Sequence, residues 1–319
     1  GMTLQNANFK EGNIKTNAKN SSFDYLAMQF RLWKRMGMAV GFLPFSTVGY
    51  SLSNTSELTK DEDGTVINKT ASYAGDGGLQ QVFAGVGFKV LDNLSIGANI
   101  SYIYGDITHS VTTAFSNSSS FSSVRLDKIS INDYKLDFGL QYSYKFNKKH
   151  VLNFGAVYSL GHSVNGKGYK YNQKWLNGAD YPSTQTGDTI TNAFSLPHTF
   201  GAGLTYVYDN RLTIGADFTY QQWEDAKFYN EKSYFSNRTK IAAGAEFVPN
   251  PYSRNYLKRV RYRVGGYYSD PYTKVDGQDG TREYGVSAGF GFPLFQSKSI
   301  LNISGQYVRV SPKVKGMRS

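Results

Sequence analysis

Three arginines at every second position, Arg259, Arg261 and Arg263 in LKRVRYRVGGYY, are the residues whose type and spacing best suit binding chemistry. A guanidinium is permanently charged, and its planar fork grips a carboxylate through two parallel hydrogen bonds. A spacing of two puts all three on one face of a strand, with Val260, Tyr262 and Val264 on the other. Asp137, Asp217 and Glu246 fall on the same inward parity in their own segments. The column therefore reads either as interior ion pairs bracing a wall or as a site with one cation left over for an acidic ligand. Catalytic chemistry finds no such cluster. His109, His150, His162 and His198 are scattered, no Gly-x-Ser-x-Gly elbow occurs, and there is no cysteine, so no catalytic residue, metal site or cofactor is expected.

Two further stretches carry binding character. GKGYKYNQKWLNGADYP and WEDAKFYNEKSYF set Tyr, Phe and Trp beside Lys, which suits an amphiphile with its chain under rings and its head near cations. Most aromatics near strand ends are assigned to an interfacial girdle, leaving Tyr169, Tyr171, Trp175 and Phe228 as capture residues. GFLPFSTVGY places Pro44 inside an apolar alternating segment, where proline removes a ladder donor and marks either a bulge or a kink that opens the wall. GDGG at Gly75–Gly78 is a second possible bend, read as a loop end.

The elements that hold these residues are strands. LTIGADFTYQQW separates by parity into Leu212, Ile214, Ala216, Phe218 and Tyr220 against Thr213, Gly215, Asp217, Thr219 and Gln221, and NLSIGANISYIYG and YKLDFGLQYSYKF divide the same way. Alternation recurs near 22–33, 37–52, 78–90, 93–105, 124–146, 150–163, 190–208, 211–223, 236–248, 257–269, 282–295 and 299–310, about twelve strands. Short connections alternate with long polar ones at 53–77, 106–123, 164–189, 224–235 and 270–281, the rhythm of an up-and-down barrel with turns on one rim and loops on the other. No capped helical period survives, and GAGLTYVYDN lies in a strand with no helix after it, which excludes a dinucleotide loop.

Composition agrees. A mean hydropathy of −0.44 says nothing against a barrel, whose lipid face occupies alternate positions only. The net charge of +11 is spread over turns and strands without a basic tract, so nucleic acid is not an expected partner. The fold class is an all-β, antiparallel, up-and-down transmembrane β-barrel occupying 1–319 as a single domain, with about twelve strands here and fourteen in the complete protein. Residues 1–21 are expected to form an extracellular loop, and an upstream strand and a closing C-terminal strand are expected to lie outside this chain. That expectation follows from even strand counts and periplasmic termini in such barrels.

LPHTFGAGLTYVYDNRLTIGADFTYQQW, with Leu196, Pro197, Tyr220 and Trp223, resembles the FadL/TodX family of outer-membrane hydrophobic-compound channels. RYRVGGYYSDPYTKVDGQDGTREYGVSAGFGF is similar to the same family through Arg263, Gly265, Asp270, Pro271, Ser287, Ala288 and Gly289. The resemblance implies a fourteen-stranded barrel in a Gram-negative outer membrane, surrounded by its lipid and lipopolysaccharide and acting as a monomer. It implies capture of a hydrophobic small molecule or fatty acid by outer loops, a lumenal site and lateral release through a kinked strand, for which Pro44 is the candidate. The family's N-terminal hatch has no counterpart in these residues. A general diffusion porin, or a surface-binding barrel without hydrophobic transport, is the alternative.

Overall fold

Alternating side chains force two environments onto one ribbon, and the sheet meets that demand by turning its apolar parity outward. In this computed structural model, which describes residues 1–11, 14–60, 63–117, 120–176, 184–191, 194–228, 232, 234–275, 277–294 and 299–312, Ile100, Ile214 and Phe218 are 58%, 47% and 46% exposed on the outer face. Such a surface is at ease only in contact with lipid.

The strands are β1 (Met2–Glu11), β2 (Ile14–Phe23), β3 (Leu26–Trp33), β4 (Met36–Lys60), β5 (Val66–Lys89), β6 (Leu94–Phe115) and β7 (Phe121–Lys145). There follow β8 (His150–Ser159), β9 (His162–Ser163), β10 (Gly166–Leu176), β11 (Thr184–Thr191), β12 (Ser195–Leu196), β13 (Thr199–Tyr208), β14 (Leu212–Gln221) and β15 (Arg238–Phe247). The chain ends with β16 (Arg261–Ser269), β17 (Lys274–Val275), β18 (Gln278–Asp279), β19 (Thr281–Pro293) and β20 (Ile300–Pro312).

Twelve of these run antiparallel in one path, β3 to β8 followed by β13 to β16, β19 and β20, while β10 and β11 extend the same sheet from β7. The twelve expected segments correspond to that path. This is a transmembrane up-and-down barrel wall, and no ladder joins β3 to β20 among the described residues. The β13–β14 turn shows how tightly one rim is drawn: Asp209 and Asn210 both adopt positive φ, 48° and 53°, and Arg211 N–H donates to Tyr208 O at 2.8 Å. That is a type I′ turn, whose twist matches the flanking strands.

The other rim departs from the sequence expectation. Segments 53–77 and 106–123, read as loops, are mostly strand, because β4 to β7 run 22 to 25 residues each. About 9–11 residues cross a membrane, so their outer halves rise beyond it as a wing completed by the β10–β11 hairpin. Residues 2–11 and 14–23 pair as the β1–β2 hairpin, within the segment expected to be an extracellular loop.

The wing is set at an angle by a glycine line. Gly77 and Gly105 have φ of 106° and 142°, values that side-chain-bearing residues rarely adopt. A Cβ on Gly105 would stand 2.3 Å from Gly78 O, and one on Gly78 would stand 2.4 Å from Ser46 O. Beside this line β4 carries a bulge: Pro44 pairs with Gln80 and Ser46 with Leu79, leaving Phe45 as the extra residue. The GDGG stretch is thus a bend within β5 and not a loop end.

Candidate functional site

Inside the wall the side chains sort by height. Gly37, Gly87, Gly97 and Gly139 pair directly across β4 to β7 in one inward-facing row, so this patch of the inner wall carries no side-chain volume, while Arg31 and Val157 continue the row on its two sides. Above the row lies a polar band. Gln81 Nε2 donates to Ser101 Oγ at 2.7 Å, Ser159 Oγ donates to Asp137 Oδ1 at 2.5 Å, and Lys135 pairs with Asp137.

Higher still the lumen turns apolar. Leu79, Ile103, Ile129, Ile131, Val164 and Leu196 form a buried cluster, against which Phe45, Phe194 and Phe228 pack. Leu79 and Ile103 are 2% and 1% exposed. Leu79, Ile103, Ile131, Val164 and Leu196 are brought together from β5, β6, β7, the β9–β10 segment and β12, and the cavity they share with Asp133 and Phe194 leaves no room for a water molecule. Val164 and Leu196 reach the centre because the chain leaves the wall after β8 and β9 pairs with β12 inside it.

Aromatic loops close the top. Trp223 stacks on Tyr272 at 5.0 Å and lies 5.3 Å from Phe235; Phe228 meets Phe235 at 5.7 Å and Phe194 at 6.4 Å. Because Phe194 and Phe228 also touch the cluster below, rings and aliphatics form one apolar column from the loops into the lumen.

Of the capture residues expected from sequence, Phe228 belongs to this column. Tyr169, Tyr171 and Trp175 lie on β10, paired with Lys128, Leu126 and Ser122 of β7. Since Gly168 pairs with the inward-facing Ile129, odd-numbered residues of β10 point to the outer face of the wing. Pro44 sits at the bulge described above.

The arginine column is split. Glu246 takes Arg261 Nη1 at 2.9 Å through one oxygen and Arg263 Nε at 2.6 Å through the other, and Arg263 Nη1 also donates to Asn302 Oδ1 at 2.7 Å. Arg259 precedes the strand, at the end of the 3-10 turn Tyr256–Lys258, with its guanidinium 5.5 Å over the Tyr256 ring. Val260, expected to face lipid, is 2% exposed, because parity was counted past the start of β16.

The motif residues have mechanical explanations. Leu196 fills the apolar cluster, and Pro197 lies where the chain returns to the wall as β13. Tyr220 pairs with Phe200. Trp223, its Nε1 donating to Gln221 Oε1 at 3.1 Å, meets Tyr272 of the Asp-Pro loop, so the two sequence stretches converge on the aromatic cap. Asp270 accepts from Tyr268 Oη at 2.6 Å, Pro271 is buried, and Gly265 faces Gly244 across the ladder.

In the wing, Tyr50 Oη and His109 Nδ1 lie 3.0 Å apart, and His109 shares its row with Asp127, followed by Lys170. Burial pushes the imidazole pKa down, opposed by the Asp127 carboxylate. The fold therefore prefers the neutral ring: its stabilisation is complete above the ordinary imidazole pKa of about 6.5 and is lost as pH falls below it. Protection factors of the wing amides, which correct the observed exchange for the intrinsic rate at each pH, are expected to fall on acidification through that range. His109→Gln should flatten the dependence.

Residues 1–313 match a family model described as BamG. No curated protein matches the chain. Among solved structures, the CymD monoaromatic hydrocarbon channel is similar with a TM-score of 0.58 at 12% identity, over 96% of this chain and 81% of that one. A Pseudomonas aeruginosa FadL homologue gives 0.56 at 16% identity over 95% and 72%. The Ralstonia pickettii toluene transporter TbuX gives 0.51 at 13% over 97% and 83%. At such identities these likenesses establish the fold, and the resemblance read from the two sequence stretches holds at that level.

Proposed function

The chain belongs to the BamG family, and from that membership, joined to a barrel fold shared with channels named for hydrophobic compounds, we propose that it is an outer-membrane channel of a Gram-negative bacterium for passive uptake of hydrophobic compounds such as long-chain fatty acids. Solute is captured at the aromatic loop cap, held in the lumen and released sideways into the bilayer. The chain works as a monomer among outer-membrane lipid and lipopolysaccharide, without catalysis or cofactor.

One observation carries this reading: the apolar column running from Trp223, Phe228 and Phe235 down to Leu79 and Ile103. A water-filled pore has no use for it, since ions and sugars gain nothing from a dry aliphatic constriction, whereas a hydrocarbon gains about 25 cal/mol for each Å² it removes from water. Mass spectrometry of organic extracts tests the reading, using the full-length protein purified in a detergent unlike a fatty acid. A stoichiometric hydrophobic ligand is expected. A ligand-free protein with steady ion conductance would favour the diffusion porin, for which the glycine patch on the inner wall of β4 to β7 is the supporting feature.

Two substitutions probe the parts. Pro44→Ala restores a ladder donor at the bulge and tests β4 as the exit: slowed hydrophobic uptake with the barrel still folded assigns release to β4, and unchanged uptake assigns it to another part of the wall. Arg263→Gln is expected to weaken binding of oleate more than of toluene, as measured by equilibrium partitioning. Equal losses would assign Arg263, with Arg261 and Glu246, to bracing alone.

A further inference from the structure

The wall is broken at a second place. The β7–β8 ladder ends at Asp137 and Ser159, and the β7–β10 ladder begins only at Ile131 and Gly166. Between them residues 160–165 leave the sheet, tied to β7 by backbone bonds at its two margins, Leu160 N–H to Leu136 O at 3.0 Å and Asn132 N–H to Asn165 O at 3.2 Å. Gly161 allows the detour to lie against the neighbouring backbone, since a Cβ there would stand 2.3 Å from His198 N.

A side chain patches the missing ladder. The Asp133 carboxylate, 9% exposed, accepts Tyr134 N–H at 2.7 Å and Asn165 N–H at 2.5 Å. Over the gap His162 stacks on Tyr134, with centroids 4.7 Å apart and planes at 13°, and its Nε2 lies 3.4 Å from Asp133 Oδ2. Neither ring nitrogen of His162 makes a hydrogen bond, so the ring is held by stacking and by one long contact to the carboxylate. At the Pro44 bulge, by contrast, the ladder resumes at once and Phe45 backs the wall from inside.

The gap also joins two apolar spaces. Asp133 borders the interior cavity with Leu79, Ile103 and Leu196. Tyr134 borders a groove of about 580 Å³ on the outer, lipid-facing side, lined by residues such as Val40, Phe42, Val82, Ile100 and Tyr102. We propose that a slender hydrophobic solute, an unbranched acyl chain or a single aromatic ring, crosses the wall here, with the His162 ring as the door between the interior cluster and the outer groove. The proposal rests on the transport reading above and locates an exit for it. Swinging His162 off Tyr134 breaks no hydrogen bond of the imidazole, while Asp133 keeps the strand margin intact as the solute passes.

The chain has no cysteine, so engineered pairs can be introduced without background. Tyr134→Cys with His162→Cys, joined by a short thiol-reactive cross-linker cleavable by reductant, locks the door in the full-length protein. Leu204→Cys with Ala216→Cys, opposite one another on the lipid face of β13 and β14, is the control lock. Uptake of radiolabelled oleate is followed in outer-membrane vesicles. The expected result is that the door lock abolishes uptake, reductant restores it, and the control lock changes nothing. Undiminished uptake through a locked door that keeps its heat-shifted gel mobility overturns the port and leaves the transport reading standing. No uptake above empty vesicles by the parent protein overturns both.

Discussion

Gly105→Ala is expected to detach the outer halves of β4 to β7 from their registered stacking while the membrane-spanning half stays folded. Two effects act together at this residue. Its φ of 142° lies where an alanine is strained, and the added Cβ would stand 2.3 Å from Gly78 O and 3.2 Å from the Leu79 Cα. Backbone strain of this kind costs about 1–3 kcal/mol, and the contact with a carbonyl fixed in the β5 ladder adds to it because no side chain is there to rotate away. The wall can relieve both only by opening β5 from β6 at the bend. Hydrogen exchange should then rise in residues 66–77 and 105–115 and remain low in 79–89 and 94–103. Gly49→Ala, where a Cβ meets no atom within 4 Å, is the control on β4, two strands away. Uniform protection in Gly105→Ala would mean that the bend is not held by glycine.

Ile103→Ala is expected to lower barrel stability by about 2–5 kcal/mol, the range for truncating a buried aliphatic residue. Ile103 is 1% exposed and shares a waterless cavity with Leu79, Ile131, Val164 and Leu196. Those neighbours come from separate segments of chain, so the site cannot collapse onto the deletion by shifting one strand. The same space opens the constriction, and brief ion-conducting events should appear in planar bilayers where the parent stays silent. A fall in the denaturation midpoint without conductance would confine Ile103 to packing. Conductance without a fall would separate the constriction from the fold.

The wall was legible because lipid imposes a strict parity. Leu212, Ile214 and Phe218 could be assigned to one face from spacing alone, and the twelve-strand path follows. The wing was not legible, since above its base, where Ile107, Ile129 and Ile190 still meet the apolar cluster, its strands are mostly polar and nothing selects alternation in SLSNTSELTK. Ser and Thr ladders such as Ser53 with Ser72, 3.1 Å apart, hold it without an apolar signature. The apolar column left a trace that parity counting treats as noise: Ile103 lies between Tyr102 and Tyr104, so the alternation lapses where the inward position is also dry. The detour at 160–165 gives no such trace, because a patch made of Asp133 and two backbone amides depends on where the chain folds and not on composition. Arg259 shows the opposite error, a spacing extended two positions upstream of the start of a strand.

The row of Gly37, Gly87, Gly97 and Gly139 makes the calibre of the lumen beside β4 to β7 an adjustable quantity. A Cβ added at Gly37, Gly87 or Gly139 would meet nothing closer than 3.5 Å, and only Gly97, 3.2 Å from Val86 O, is crowded. Larger side chains at those three positions would fill the bore one substituent at a time without altering the surface the barrel presents to its membrane. Evolution or an engineer can thus set the gauge of this barrel independently of its anchoring.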